Sequence, residues 1–422
     1  MRYLYVGSVN DGNASVRGNG EGIYVIRVED DLNMEVTDIR PAANAGILSE
    51  FGNVIYAANE VRNFTGLPGS GGGVSAYAME GDHLKLLNCS LSYGSRPCFT
   101  AADGKYLFVS NHGSHSAVTT HYINKGKSLP ELERIFDDSS VAMFALNKDG
   151  SIGELSDLHV IEGSGYWCYG GGQSTSHIHS VRAKGRYVYA CNRGCDEIDV
   201  FEIVNGFLIL RNRFETRQAM APRHFVFHPE KELLYVAFEN YPAAGVYAVQ
   251  GEKLKELQIL GTAEASYYET RPLPEYGKRH AEEGETNTCS FADKGALMPA
   301  DIHITSDGKY VFVSNRSRSG NASISSFAVQ EDGTLKLLAV RELDGQDPRG
   351  FEIMDDRYLV IGLLDRNVIQ IHPLENGIVM DAVAKVSVGA PASVVVGDVI
   401  AENDENEIPS KAFIFRELIC KT

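Results

Sequence analysis

The sequence predicts an all-β fold: a seven-bladed β-propeller of four-stranded antiparallel blades, with one blade shared between the N- and C-termini and residues 1–422 forming a single domain. Three observations lead there. A motif of apolar strand, Asn or a substitute, then a polar residue recurs as "YAANE" (56–60), "FVSNH" (108–112), "YACNR" (189–193), "YVAFE" (235–239) and "FVSNR" (312–316), with a degenerate copy "VIGLL" (360–364). Short alternating strands surround the copies in one fixed order. The two ends of the chain supply complementary pieces of one more unit.

Most copies follow a tight-turn signal, "ADGKY", "AKGRY", "SDGKY" or "DDRY". Before it comes another strand, "PCFTA", "HIHSVRA", "PRHFVFH", "ADIHIT" or "PRGFEI", so each unit opens with a β-hairpin. A third strand follows ("GVSAYAM", "IDVFEI", "AGVYAV", "SISSFAV", "NVIQIHPL"), then a fourth ("LKLLNCSL", "LILRNRF", "LKELQIL", "LKLLAVREL"). The motif ends at 60, 112, 193, 239, 316 and 364, giving intervals of 52, 81, 46, 77 and 48 residues, which read as propeller blades. The two long intervals must hold insertions. "MRYLYVGS" resembles a second strand without a first, and "APASVVV" (390–396) a first without a second. Pairing them closes the ring and removes its open edges. Two separate β-sandwiches would leave the common register unexplained.

The expected blades are 1–42 with 390–397, then 43–93, 94–162, 163–218, 219–297, 298–345 and 346–389. Residues 261–297, polar and punctuated by Gly and Pro, read as one long loop, a feature often functional in compact folds. "AENDENEIPS" (401–410) reads as a solvated turn and "KAFIFREL" after it as an extra strand.

Composition bounds the partners. The 422 residues are 43% hydrophobic and 23% charged with a net charge of −17, and no Lys/Arg cluster suggests a nucleic-acid surface. No apolar run is long enough to span a membrane, and the N-terminus lacks a signal-peptide pattern. The seven cysteines form an odd set without metal-type pairing, and "CNRGC" (191–195) is neither a redox nor a haem motif. Reduced thiols, a cytoplasmic protein and a monomer or small homo-oligomer are the expectation. A few arginines in one cleft can still reverse the local potential for a small anion.

The hairpin register places the start of each first strand and the end of each second strand at one end of the propeller axis. The second strands end on Glu60, His112, Arg193, Glu239 and Arg316. Sixteen residues before four of these stand Arg96, His177, Arg223 and Ala300, and Arg349 takes nearly the same place in the degenerate unit. In "QSTSHIHS" (173–180) the two-residue step should turn His177 and His179 to one face. His177, His179, Arg223, Glu239 and Arg316 are the candidate catalytic residues; Glu60, Arg96, His112, Arg193 and Arg349 are candidates for substrate binding. Arginine forks suit carboxylate or phosphate, while carboxylates and imidazoles suit acid–base work. Ion pairs between blades are the structural alternative for Glu239 and the arginines. No metal is expected, because spacing implies no third ligand for the histidines. Without a nucleophile-elbow serine or catalytic-cysteine pattern, water is the expected nucleophile. His224 and His303 read as blade-packing residues. "LPGSGGGV" (67–74) and "YGGGQ" (169–173) lack the strand–loop–helix layout of a nucleotide site and read as rim loops.

"QSTSHIHSV", "APRHFVFHPEKELLYVAFEN", "PADIHITSDGKYVFVSNRS" and "DPRGFEI", with "YVGS" and "GGVSAYAM" nearer the start, resemble the seven-bladed lactonase propellers over nearly the whole chain. That family includes 6-phosphogluconolactonases and carboxy-cis,cis-muconate cyclases. The resemblance implies hydrolysis of a sugar lactone such as 6-phosphogluconolactone, without a cofactor. The alternatives are lactonisation of an unsaturated dicarboxylic acid, or a non-catalytic propeller that binds a small anion or a partner protein. In the cyclase branch the proposed catalytic set is a histidine, a glutamate and two arginines, which map to His177 or His179, Glu239, Arg223 and Arg316. The sequence departs from the pattern at Ser174, at "CNRGCDEI" and in the 261–297 insertion.

Overall fold

The computed structural model describes residues 1–10, 18–67, 69–113, 118–123, 131–168, 172–272, 280–282 and 296–397. Seven antiparallel sheets follow one another along the chain. Blade 1 starts with Pro391–Gly397 and continues through Arg2–Ser8, Gly22–Val28 and Met34–Pro41. The other six blades begin with the hairpins Ala45–Phe51/Val54–Asn59, Pro97–Ala102/Tyr106–Asn111, Ile178–Lys184/Tyr187–Asn192, Pro222–Phe227/Leu233–Phe238, Leu297–Ile304/Tyr310–Ser317 and Gly350–Met354/Tyr358–Leu363. The first strand of each blade packs against that of the next, and that of blade 7 returns to Pro391–Gly397, so the ring closes.

The expected shared blade is present: Tyr3 pairs with Gly397, Tyr5 with Val395 and Gly7 with Ser393. The first long interval holds an additional hairpin, Val118–Ile123 with Glu131–Phe136, between the second and third strands of blade 3. The fourth strand of blade 7 is split into Ile378–Val379 and Ala384–Ser387. In the second long interval the neighbouring strands include Gly261 and Leu297, and Ala265–Glu269 forms a 3₁₀ turn. Further along, Ala281 N donates to Tyr166 O, tying the insertion to the segment that leads into blade 4. Residues 273–279 and 283–295 of the insertion, 169–171 of the second glycine run, Pro68 in the first, and the tail at 401–418 lie outside the described residues. No described helix is long and apolar enough to cross a membrane. Cys98, Cys168, Cys191 and Cys195 are free, whereas Cys89 is disulfide-bonded, which corrects the expectation of an all-reduced set.

Each sheet lies between two others, so its second strand is apolar on both faces, and Val54–Asn59, Tyr106–Asn111 and Leu233–Phe238 are buried throughout. The outermost strands alternate between buried and open positions, as in Phe207–Glu215. The recurring asparagine has a definite structural task. Asn59 Nδ2 donates to Ala43 O (2.7 Å), and Asn111 Nδ2 donates to Ser92 O (2.9 Å) and Ser140 Oγ (3.1 Å). Asn192 Oδ1 accepts from His177 N (3.1 Å). Asn315 Nδ2 donates to Thr262 O (3.1 Å) and Ser325 Oγ (2.8 Å), while its Oδ1 accepts from Thr262 Oγ1 (2.7 Å). A buried amide thus pins the incoming chain and fixes the backbone of the polar residue that follows.

Asn315→Ala should therefore destabilise the fold by about 1–3 kcal/mol, because it strands buried partners at Thr262 and Ser325. Urea denaturation measures this; a loss below roughly 0.5 kcal/mol, ordinary for a surface change, would show that the pin is dispensable.

Candidate active site

The hairpins do not share one register. Pairing places Ala45 opposite Asn59, Pro97 opposite Asn111 and Ile178 opposite Asn192, but Pro222 opposite Phe238 and Pro299 opposite Asn315. The turns of blades 5 and 6 are longer, so the sixteen-residue offset holds only there. A β-bulge follows each of these pairs, as it does at Pro391 in blade 1. Bulges re-aim side chains. The bulge residues are Ala392, Gly46, Cys98, His179 and Arg223 in blades 1 to 5, with Ala300 and Asp301 in blade 6. Arg349, directly before the Gly350–Gly362 pair, takes the same place in blade 7. Arg96 and His177 sit two residues earlier, before their strands, where their carbonyls accept from His112 N and Arg193 N (both 3.0 Å). The expectation that His177 and His179 share one strand face is corrected accordingly.

The second ring consists of the residues after the second-strand asparagine or its substitute. Glu239 is its anchor. Its carboxylate meets Arg193 Nε of blade 4 (2.5 Å), Arg316 Nη2 of blade 6 (2.5 Å) and Arg223 Nε of its own blade (3.7 Å). All four residues are buried. Burial works to raise the Glu239 pKa, but Arg193, Arg316 and Arg223 together hold it well below the usual carboxylate range. The inter-blade ion pair, foreseen as the structural alternative, is present. Both carboxylate oxygens are thereby engaged by guanidinium groups. Burial, reinforced by Arg316, pushes the Arg223 guanidinium down to about 9. Arg223 Nη1 bonds Ala300 O and lies 3.2 Å from His224 Nε2, whereas its buried Nη2 has no hydrogen-bond partner among the described residues.

Three imidazoles meet beside this cluster. His112 stacks on His177 at 4.4 Å and meets His179 edge-on at 5.5 Å. His177 Nδ1 donates to His112 O (2.8 Å), and its Nε2 lies 3.2 Å from the Thr175 hydroxyl, so this ring is held on both nitrogens. His179 differs: its buried Nδ1 has no hydrogen-bond partner among the described residues. Burial, then Arg223, His224, His112 and Arg193, hold its pKa well below the ordinary histidine value, which leaves a neutral ring. The thiol of Cys98 donates to Ile178 O (3.4 Å) and His179 O (3.5 Å), and burial pushes its pKa up to about 12, so it offers no thiolate.

Glu60, Arg96 and Arg349 occupy the other side. Among the described residues no hydrogen bond or ion pair reaches the Glu60 carboxylate; Arg349, Arg96 and Arg223 act on it only at a distance. Burial outweighs them and raises its pKa. Arg349 is buried, which disfavours its charge, yet Glu60, Asp347 and Glu239 raise its pKa. Arg96 adopts a left-handed backbone (φ 52°). Between blades 7 and 2, Val9, Leu364, Ala390 and Ala392 form an apolar cluster.

Sequence reasoning missed a charge chain behind Arg223. His224 Nδ1 lies 2.8 Å from Asp301 Oδ1, and His303 bridges Asp301 Oδ2 (3.2 Å) and Glu352 Oε1 (3.1 Å). Burial works against the His303 charge, but Glu352 and Asp301 carry its pKa up to about 10. The strand pattern of "ADIHIT" gave no sign of this. Among the described residues no group of three or more His, Cys, Asp or Glu side chains could hold a metal ion.

A family model described as lactonase, seven-bladed β-propeller, matches residues 3–396. A 6-phosphogluconolactonase of Formosa agariphila is 25% identical over 369 residues, covering 83% of this chain and 86% of that protein. The 6-phosphogluconolactonase of Bacillus subtilis is 25% identical over 358 residues, covering 82% and 84%. The Pseudomonas aeruginosa periplasmic gluconolactonase shares the fold with a TM-score of 0.73 at 21% identity, covering 94% of this chain and 99% of that one.

Glu239→Gln should cost about 3–5 kcal/mol, because three buried arginines lose their counter-charge. The depressed pKa also sets a sign: the ionised carboxylate contributes its full stabilisation above its ordinary value of 4.5 and loses it as pH falls through the lower folded value. Denaturant titrations across that range should show a steep acid limb in the wild type and a flatter one in the variant; identical limbs would remove Glu239 from the account.

Proposed function

The chain belongs to the lactonase family of seven-bladed β-propellers, and on that premise we propose that it hydrolyses a sugar lactone, 6-phosphogluconolactone being the leading candidate, by attack of water at the lactone carbonyl. The observation that carries this reading is the charge at the axis. Arg96, Arg193, Arg223, Arg316 and Arg349 gather there around Glu60 and Glu239, with Asp347 acting on Arg349 and Asp301 on Arg223, in a protein of net charge −17. Such a cationic mouth suits an anionic sugar acid or its phosphate. The names carried by the Formosa and Bacillus relatives point the same way.

Attack turns the planar carbonyl into a tetrahedral oxyanion. Arg223, whose Nη2 has no hydrogen-bond partner among the described residues, and Arg316 are the donors assigned to that charge. His179, neutral and with no hydrogen bond to its Nδ1 among the described residues, takes the proton of the attacking water. Glu239 does not serve as the base; it holds the arginines. His177 and His112 position the His179 ring, and Arg349 and Arg96 are assigned to the anionic substituent. The nucleophile is water because the Cys98 thiol stays protonated. Ester hydrolysis moves no electrons, so the reaction needs no redox cofactor. The four free thiols support a cytoplasmic site of action, and the disulfide at Cys89 weighs against it.

Stopped-flow hydrolysis of freshly prepared 6-phosphogluconolactone tests the reading. His179→Gln and Arg316→Ala should each lower kcat by about 10²-fold, the scale of a lost base or oxyanion donor. Wild-type protein that adds nothing to the spontaneous rate, yet gains about 2.7 kcal/mol of stability from a sugar acid at 100 times its Kd, would make this a binding propeller instead.

A further inference from the structure

We propose that Glu60 is the general acid of this reaction, delivering its proton to the ring oxygen as the lactone C–O bond breaks. The inference rests on the lactonase reading above and names a chemical role for a residue expected only to bind substrate.

The geometry separates the two carboxylates at the axis. Glu60 and Glu239 hold the same place in blades 2 and 5: each follows its second strand, and each backbone N–H donates to the residue before the first strand, Asn44 O (3.0 Å) or Ala221 O (2.8 Å). The Asn44 side chain also donates to Glu60 O (2.8 Å), so the Glu60 backbone is fixed from both sides. Glu239 is taken up by three arginines. Glu60 has none within ion-pair distance among the described residues. It also borders Gly46, the bulge residue of its own blade, which has no side chain where Cys98, His179, Arg223 and Arg349 stand in other blades. A Cβ built at Gly46 would stand at ordinary contact distance from Glu60 Oε2 (3.9 Å) and Val9 Cγ2 (3.8 Å), so the glycine puts no side chain of its own against the carboxylate. The apolar cluster of Val9, Leu364, Ala390 and Ala392 occupies the next blades around the ring.

The charged and titratable groups acting on Glu60 are Arg349, Arg96 and Arg223, with Cys98 nearby. Burial prevails over them and keeps the proton on Glu60 to a higher pH than usual. His179, facing Arg223, His224, His112 and Arg193, is driven the opposite way and loses its proton early. Environments that push two groups apart assign acid and base. The bonds and protons balance. Water adds to the carbonyl carbon and gives one proton to His179; the tetrahedral species collapses, the C–O bond to the ring oxygen breaks, and that oxygen takes the Glu60 proton. Solvent then carries the proton from His179 back to Glu60, leaving an open hydroxy acid.

A leaving group that needs no proton separates this role from binding. Purified wild type, Glu60→Gln and Glu60→Asp would be assayed on glucono-δ-lactone, which must expel an alkoxide, and on dihydrocoumarin, which expels a phenolate. Glu60→Gln should lower kcat on glucono-δ-lactone about 10²-fold while changing dihydrocoumarin turnover by less than about threefold. Its kcat/KM profile should also lose the alkaline limb that the Glu60 proton sets, and Glu60→Asp should restore part of the alkyl-lactone rate. Turnover of dihydrocoumarin shows that the variant is folded. Equal losses on both substrates, or no loss on either, would overturn the assignment. A wild type inert on both would overturn the lactonase reading and this one with it.

Discussion

One buried carboxylate couples three blades at the axis. Glu239 ends the second strand of blade 5 and takes Arg193 from blade 4 and Arg316 from blade 6 on its two oxygens, with Arg223 beside them. Burying four charges is costly, and a well-packed apolar set of the same volume would stabilise the ring as well or better. What the ionic cluster adds is position. Three guanidiniums are fixed before any substrate arrives, so none has to be reoriented during a reaction. The cluster also explains why the most conspicuous acid in the sequence is ionised yet already engaged: both of its oxygens are taken by guanidinium groups.

The fold was legible because one side chain repeats with a purpose. Asn59, Asn111, Asn192 and Asn315 each hold the chain entering their blade, so their spacing marks blades directly. Complementary ends revealed the shared blade for a similar reason, since a lone first strand and a lone second strand must find each other. The site was legible only in part. A constant offset placed Arg223 correctly, where the blade-5 turn is long, and misplaced its equivalents where the turns are shorter, which hid Gly46 and Cys98 and put Arg96 and His177 in the wrong ring. Turn length changes pairing without changing the strand pattern. The Asp301–His303–Glu352 chain was invisible because its members come from two blades and meet only after folding.

The mouth of the propeller is two-sided. Blades 3 to 6 supply His112, His179, Arg193, Arg223, Glu239 and Arg316, while blades 7 and 1 set Arg349 beside the apolar cluster of Val9, Leu364, Ala390 and Ala392. The repeat achieves this by letting the same backbone positions carry Gly or Ala in some blades and Arg or His in others. Bulges at these positions make the exchange tolerable, because an unpaired residue can change size without disturbing the ladder beside it.

The sharing of blade 1 also orders events during synthesis. The strand Arg2–Ser8 leaves the ribosome nearly 400 residues before its inner neighbour, Pro391–Gly397. Until then three strands wait with an unpaired inner edge, exposed to any other strand of suitable pattern. Contacts so distant in sequence form slowly. Final latching of the ring is therefore a late step, and a nascent chain held by a chaperone until that point would be spared mispairing.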